Sequence, residues 1–283
     1  MSLRNEYELW GTFYRHPVRI EGCRMRRVDM ASADDLGSVV REASPSVILH
    51  AAAMIDVDLC ERDKEAAVRI NGDGTRRVAT LAAESGARLV YFSTDMVFDG
   101  RRGMYKETDA PVPINHYGVT KLLGENSALA HCPGAVVMRL ALTYGRGNEA
   151  HGSFLDWMIA GLKRGETLRL FIDQFRTPVF VGDVCAAAKV ILNSGAPAGT
   201  YHIAGTERVN RYEFGERVAE LCGFSSRLLQ PVRMRDVKTV LPRPADTSLD
   251  NSKAERILKI AFRSIRDGLQ EVATQSGYRA LHS

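Results

Sequence analysis

The feature that most constrains this chain is the alternation of short apolar runs with stretches of helical periodicity through its first half. The runs "SVILHAAA" (Ser46 to Ala53), "ARLVYFSTD" (Ala87 to Asp95) and "AVVMRLALTYG" (Ala135 to Gly145) are apolar enough to be strands buried on both faces. Between them, Glu61 to Ser85 reads as one long helix ended by Gly86, and Tyr117 to His131 as another. Strand, helix and strand in repetition predict an α/β fold, a parallel sheet with helices on both faces. After about Gly145 the pattern loosens into helices, loops and short strands. The expected organisation is therefore a sheet domain over 1–145 and, over 146–283, mainly a smaller lobe, with some segments returning to the main domain.

Ligands of such sheets bind beyond the carboxyl ends of the strands, and that rule sorts the side chains. Ala51, Ala52 and Ala53 follow "VILH" and are small enough to let a flat ligand approach the backbone. Ser93, Thr94 and Asp95 end "LVYF", and Tyr117 and Lys121 open the next helix. Residues four apart lie on one helix face and can act on the same molecule. A phenol titrates near pH 10, too high for easy proton exchange at neutrality. A neighbouring ammonium favours phenolate and makes the tyrosine a usable acid or base. With a hydroxyl such as Thr94 holding a carbonyl oxygen, the set suits carbonyl reduction, for which a cofactor must bring the hydride. The spacing alone equally allows an amphipathic surface tyrosine and a solvated lysine.

Composition narrows the class. The 283 residues, 45% hydrophobic and 25% charged, suit an ordinary soluble protein of one large domain or a main domain with a smaller one. A formal charge of +4 is mild: it helps attract a phosphorylated ligand and is far from the basic stripe of a nucleic-acid binder. Cys23, Cys60, Cys132, Cys185 and Cys222 are scattered without a C-x-x-C pair, which argues for a reducing compartment and against disulfides or a zinc site. His50 has no second ligand at metal spacing, so no metal site is expected. No apolar run approaches the roughly 20 residues that span a bilayer, and "MSLRNEYELW" lacks a signal-peptide core. A cytoplasmic location is expected.

The ordered set "ILHAAA", "VDLCE", "INGDGT", "LVYFSTDMVFDG", "YKETDAPVPINHYGVTKLLGE", "RTPVFVGDV" and "YHIAGTERVNRYEFGERVAE" resembles the extended short-chain dehydrogenases, and within them the dTDP-4-dehydrorhamnose reductase family. The resemblance runs over nearly the whole chain and implies a Rossmann-like fold with a C-terminal substrate-binding lobe. It implies that Thr94, Tyr117 and Lys121 are catalytic. Tyr117 would protonate the 4-keto oxygen of a nucleotide-linked deoxysugar, Lys121 would tune it and bind the nicotinamide ribose, and Thr94 would orient the carbonyl. Asp29 and Met30 would border the adenine, Ala51, Ala52 and Ala53 would run along the cofactor, and Asn71 would brace the active-site backbone. Arg15 would favour the extra phosphate of NADP(H) over NAD(H), the alternative cofactor. Asp95 and Met96 would meet the sugar, and Arg176 and Arg243 its diphosphate, since guanidinium matches phosphate bidentately. The expected partners are a nucleotide-sugar substrate and, as one arrangement, a second copy in a homodimer; neither nucleic acid nor membrane is expected.

Two departures stand out. The family's first strand and its G-x-x-G-x-x-G turn have no counterpart, because "YELWGTFYRH" already resembles the second strand. That strand is normally central, so its absence predicts a gap with ladder hydrogen bonds unmade, in a shortened chain or one whose gap another element fills. "NGDGTRR" and "YGRGNEAHG" lack the context or spacing to replace the turn. Met96 stands where the family commonly has tyrosine, which removes a hydroxyl from the sugar site. The leading expectation is NADP(H)-dependent reduction of dTDP-4-dehydrorhamnose to dTDP-rhamnose. The alternatives are a non-catalytic regulatory subunit similar to the methionine adenosyltransferase beta subunit, and a nucleotide-sugar epimerase or dehydratase.

Overall fold

The computed structural model describes residues 3–147, 152–237 and 241–276. The chain divides into two compact units: Met1–Ser93, Asn115–Met138 and Ala188–Thr200 form the first, and Thr94–Ile114, Arg139–Ala187 and Tyr201–Ser283 the second. The division is interleaved, and Ala188–Thr200, beyond residue 145, belongs with the first unit. The reason is the topology: a strand joined by a crossover returns to the sheet far along the chain, as Gly199–Ile203 does here.

The main sheet has the order Gly199–Ile203, β5 (Val136–Leu140), β4 (Arg88–Thr94), β3 (Val47–His50). β3 and β4 run parallel, with Val47 opposite Arg88 and His50 opposite Tyr91. Two further strands, β1 (Leu9–Phe13) and β2 (Cys23–Arg27), pair in parallel as a separate sheet. Among the described residues, β1 has only β2 as a strand neighbour and β3 only β4. A cavity of about 460 Å³ lies between them, lined by Leu9 to Thr12 of β1 and Val47 to His50 of β3. This is the gap the sequence predicts, and its apolar walls include Leu36, Val39 and Val78.

Helix α1 (Ala33–Ala43) starts at Ser32, whose hydroxyl accepts from the Asp35 amide, with Asp34 and Asp35 in the first turn where the helix dipole favours them. The single helix expected over 61–85 is instead a series: α2 (Val57–Arg62), α3 (Lys64–Ala67), a π-helical segment Val68–Gly74, and α4 (Thr75–Glu84). Asp63 makes the first break, since its side chain accepts from the Ala66 amide and caps α3. The π-helical widening falls on "VRINGDG", with glycines at 72 and 74. Helix α5 (His116–His131) is capped by Asn115, which accepts from the Gly118 amide. Gly124 lets α5 approach β4, because a Cβ there would run into the Tyr91 hydroxyl and the Asn71 carbonyl. Leu89, Tyr91, Ala79, Ala82, Ala128 and Val137 are fully buried in the resulting core.

The second unit contains α6 (Phe154–Lys163), the start of α7 (Val181–Asn193), α8 (Arg211–Cys222), α9 (Ser252–Leu258) and α10 (Ile265–Ser276). Reciprocal capping boxes open α6 (Ser153 with Asp156) and α8 (Asn210 with Glu213), which sets both helix starts firmly. The strands Leu168–Phe171 and Leu229–Val232 pair in parallel. Leu170 and Leu229 share one buried cluster with Met158, Phe214, Val218 and Leu269. No helix among the described residues is long and apolar enough to cross a membrane.

Candidate active site

Helix α5 carries Tyr117 and Lys121 one turn apart in the first unit, Tyr117 half-buried and Lys121 buried. The Lys121 ammonium donates to the Phe92 carbonyl at 2.7 Å and sits 4.2 Å from the centre of the Tyr91 ring. Burial pushes its pKa down to about 7, against the opposing pull of Glu125. At neutral pH this amine therefore exists in both charged and neutral forms. Glu125 itself accepts from the Ser93 hydroxyl.

A buried polar chain supports this helix. His50 Nε2 lies 3.0 Å from Thr75 Oγ1, and Thr75 donates to the Asn71 carbonyl at 2.7 Å. Burial first, and the Lys121 charge second, push the His50 imidazole down to about 3, so it is neutral at physiological pH. Asn71, on the π-helical segment, accepts from the Met54 amide at 2.8 Å and donates to the Met54 carbonyl and to Thr120 Oγ1, both at 3.0 Å. One amide thus fixes the loop after β3 and the helix of Tyr117 together.

The remaining first-unit candidates lie at the carboxyl ends of the strands. Ala51 and Ala52 are exposed and, with Gly11, Thr12 and Met30, line the cavity; Ala53 is half-buried. Asp29 accepts from the Ala31 amide at 2.8 Å, a turn-forming bond, so part of its carboxylate is engaged in its own loop. Arg15 is exposed, with its guanidinium 5.2 Å from the Tyr14 ring centre, and Arg27 lies 5.4 Å from the same ring. These residues fit a dinucleotide in part. Small alanines open onto the cavity, and the Lys121 amine is buried on α5. For a diphosphate there is no glycine-rich strand-to-helix turn among the described residues: "NGDG" is inside the π-helical segment, and "YGRGNEAHG" lies partly outside the described residues.

The other candidates belong to the second unit. Thr94 accepts from the Met96 amide at 3.2 Å and donates to Asp95 Oδ1 at 3.1 Å, so its hydroxyl proton is directed at Asp95. Asp95 is buried, and its Oδ2 accepts from Thr247 at 2.6 Å and pairs with Arg176 Nε at 3.3 Å. Arg176 is buried too, and Nη1 and Nη2 donate to the carbonyls of Phe175, Ala245 and Pro244. Every nitrogen of that guanidinium is engaged by the protein. The diphosphate role expected of Arg176 thus meets a side chain occupied with holding Asp95 and the Pro244–Ala245 backbone. Arg243 is exposed, and Met96 is half-buried.

A sequence model described as the RmlD substrate binding domain matches residues 6–277. The chain belongs to that family. Among its relatives, the probable low-salt glycan biosynthesis reductase Agl14 of Haloferax volcanii is 32% identical over 87% of this chain and 83% of its own length. Methionine adenosyltransferase 2 subunit beta of Danio rerio is 33% identical over 86% of this chain and 78% of its own. The crystal structure of dTDP-4-dehydrorhamnose reductase from Bacillus anthracis in complex with NADP superimposes with a TM-score of 0.85 at 26% identity, covering 94% of this chain and 98% of that one. The α/β architecture of this RmlD family member, a sheet with parallel strands flanked by helices, is that of the reductase structures.

One residue of this RmlD-family chain escaped the sequence reading. Arg211, in "NRYEFGER", is the first residue of α8, and its Nη1 is buried with no hydrogen-bond partner. The N-x-x-E capping signature places it at a helix start, but nothing local separates it from a solvated surface arginine.

Proposed function

We propose that this protein reduces the 4-keto group of a nucleotide sugar with NADP(H), or with NAD(H) in its place, and that dTDP-4-dehydrorhamnose is its substrate. The observation that carries the reading is the pairing of Tyr117 with a buried Lys121 whose amine is fixed by the Phe92 carbonyl and titrates near neutrality. When bound, the nicotinamide supplies hydride to the carbonyl carbon. Tyr117 delivers its hydroxyl proton to the carbonyl oxygen, and the charged form of Lys121 makes that phenol the stronger acid. Thr94 would turn its hydroxyl from Asp95 to hold the same oxygen, and Met96 would meet the sugar, whereas Asp95, buried with both oxygens engaged, would hold Thr94 and Arg176 in place rather than meet the sugar as expected. Lys121 would hold the nicotinamide ribose, Asp29 and Met30 would border the adenine, and Ala51, Ala52 and Ala53 would run along the cofactor. Arg15 would favour a 2′-phosphate.

The test is to incubate the protein with NADPH and dTDP-4-dehydrorhamnose and analyse the sugar product. Stoichiometric NADPH consumption with dTDP-rhamnose formed is expected, and Tyr117→Phe should lower turnover by roughly 10²-fold or more, the scale of a lost general acid, with NADPH affinity largely kept. Undiminished turnover in that variant would end the mechanism. A product isomeric with the substrate, or dehydrated, without net NADPH use would point to an epimerase or dehydratase. The second reading is a regulatory subunit. It is favoured by the 33% identity to methionine adenosyltransferase 2 subunit beta and by the lack of a glycine-rich turn among the described residues. It predicts no turnover and co-purification with a partner enzyme.

A further inference from the structure

We propose that Arg211 is the principal anion ligand of the second unit, holding the diphosphate of a nucleotide ligand together with Arg243, while Arg176 serves as a positioning residue behind them. The inference rests on the nucleotide-sugar reading for its ligand class, but its argument is independent of the reduction chemistry.

It starts from a contrast between two guanidinium groups. Arg176 has carbonyls or a carboxylate at all three nitrogens, which is what a structural arginine requires. Arg211 is different. Its Nε donates to Gln174 Oε1 at 3.0 Å, its guanidinium carbon lies 4.7 Å from the centre of the Phe154 ring, and its buried Nη1 has no partner. A buried donor on a charged group without an acceptor is costly, by about 1–3 kcal/mol or more, and native proteins seldom keep one without a use.

The surrounding charge points the same way. Arg176 and Arg243 are near enough to oppose the Arg211 charge, and the Asp95 carboxylate supports it. Asp95 is already shared among Arg176, Thr94 and Thr247. Burial first, then the charges of Arg176 and Arg243, hold the Arg211 pKa down to about 9. Gln174 is buried, and its Oε1 holds Nε, so the guanidinium fork is oriented before any ligand arrives. A diphosphate answers all three conditions: it is dianionic or more, it presents two oxygens to a fork, and it requires no further carboxylate. Phe154 stacks against Trp157, which is 49% exposed, so an aromatic shelf adjoins the arginine and suits a nucleoside diphosphate better than a free phosphate.

Calorimetric titration at constant ionic strength tests this with three probes: dTDP, inorganic pyrophosphate and thymidine. In Arg211→Gln, affinity for dTDP and pyrophosphate should fall by at least about tenfold, with thymidine binding unchanged, since a bidentate charged pair is lost and the base contact is kept. Arg211→Lys keeps the charge without the fork, should fall between wild type and the glutamine variant, and serves if Arg211→Gln does not fold. Arg176→Gln should show its main effect as a lowered Tm. The proposal is overturned if wild type binds neither phosphate probe, or if both Arg211 variants bind dTDP as wild type does. Turnover of a 4-keto nucleotide sugar with unchanged dTDP affinity in the variants would sink the subsite and leave the reductase reading standing. Arg211-dependent binding of dTDP without any turnover would do the reverse.

Discussion

At the scale of single residues, Lys121 shows how burial and function pull in opposite directions. Its amine titrates at about 7 in the folded chain against 10.5 when unperturbed, because burial disfavours the ammonium. Between those values the unfolded chain binds the extra proton, so the stability contributed by this residue rises with pH from about 7 to 10.5. Catalysis should run the other way. If the ammonium is what acidifies Tyr117, then kcat/KM for carbonyl reduction falls above about pH 7, as Lys121 loses its proton. A pH–rate profile checks this: a flat profile from pH 6 to 9, on the order of the range the amine titrates across, would contradict it. Lys121→Met should remove the inflection together with most of the activity. His50 does not confuse the profile, since its imidazole stays neutral down to about 3.

At the scale of elements, the π-helical segment Val68–Gly74 decides where the site's backbone stands. A π-turn inserted in a helix shifts the register of the residues beyond it, and such insertions recur at functional sites. Here it carries Asn71, whose three side-chain hydrogen bonds reach the Met54 backbone and Thr120 of α5. Asn71→Ala would leave the Met54 amide and carbonyl without those partners, a loss of roughly 2–4 kcal/mol by the usual cost of buried unpaired groups. The expected outcome is a Tm lowered by several degrees and a turnover loss larger than the stability loss explains at assay temperature. Thermal melts beside kinetics measure both, and an unchanged Tm would show that the brace is not needed. Sequence periodicity missed this segment, because one added residue in a helix leaves the pattern of apolar positions nearly intact.

For the whole molecule the question is cofactor affinity. The cavity between β1 and β3, about 460 Å³, offers Ala51, Ala52 and Met30 at its edge, but no turn among the described residues cradles a diphosphate. Losing two or three charge-assisted hydrogen bonds of about 1.5 kcal/mol each predicts a Kd for NADPH weaker by roughly 10²-fold or more than a complete site would give. Calorimetry should therefore find binding no tighter than tens of micromolar, as an order of magnitude; a sub-micromolar Kd would mean other groups supply those contacts. The order of the main strands and helices, the Tyr117–Lys121 pair and the interruption between β1 and β3 were all legible in the chain itself. The strands and helices depend on neighbours within a few residues, which local periodicity records, whereas the role of the pair and the interruption followed from the family resemblance, against which the glycine-rich unit is missing. The tertiary structure alone decided that Arg176 is fully engaged while Arg211 keeps an unsatisfied N–H, that Thr94 points its proton at Asp95, and that Lys121 titrates near neutrality. Each of these turns on which distant carbonyl, carboxylate or ring closes around a polar group, and on whether water is excluded there, which only the packing of remote segments determines.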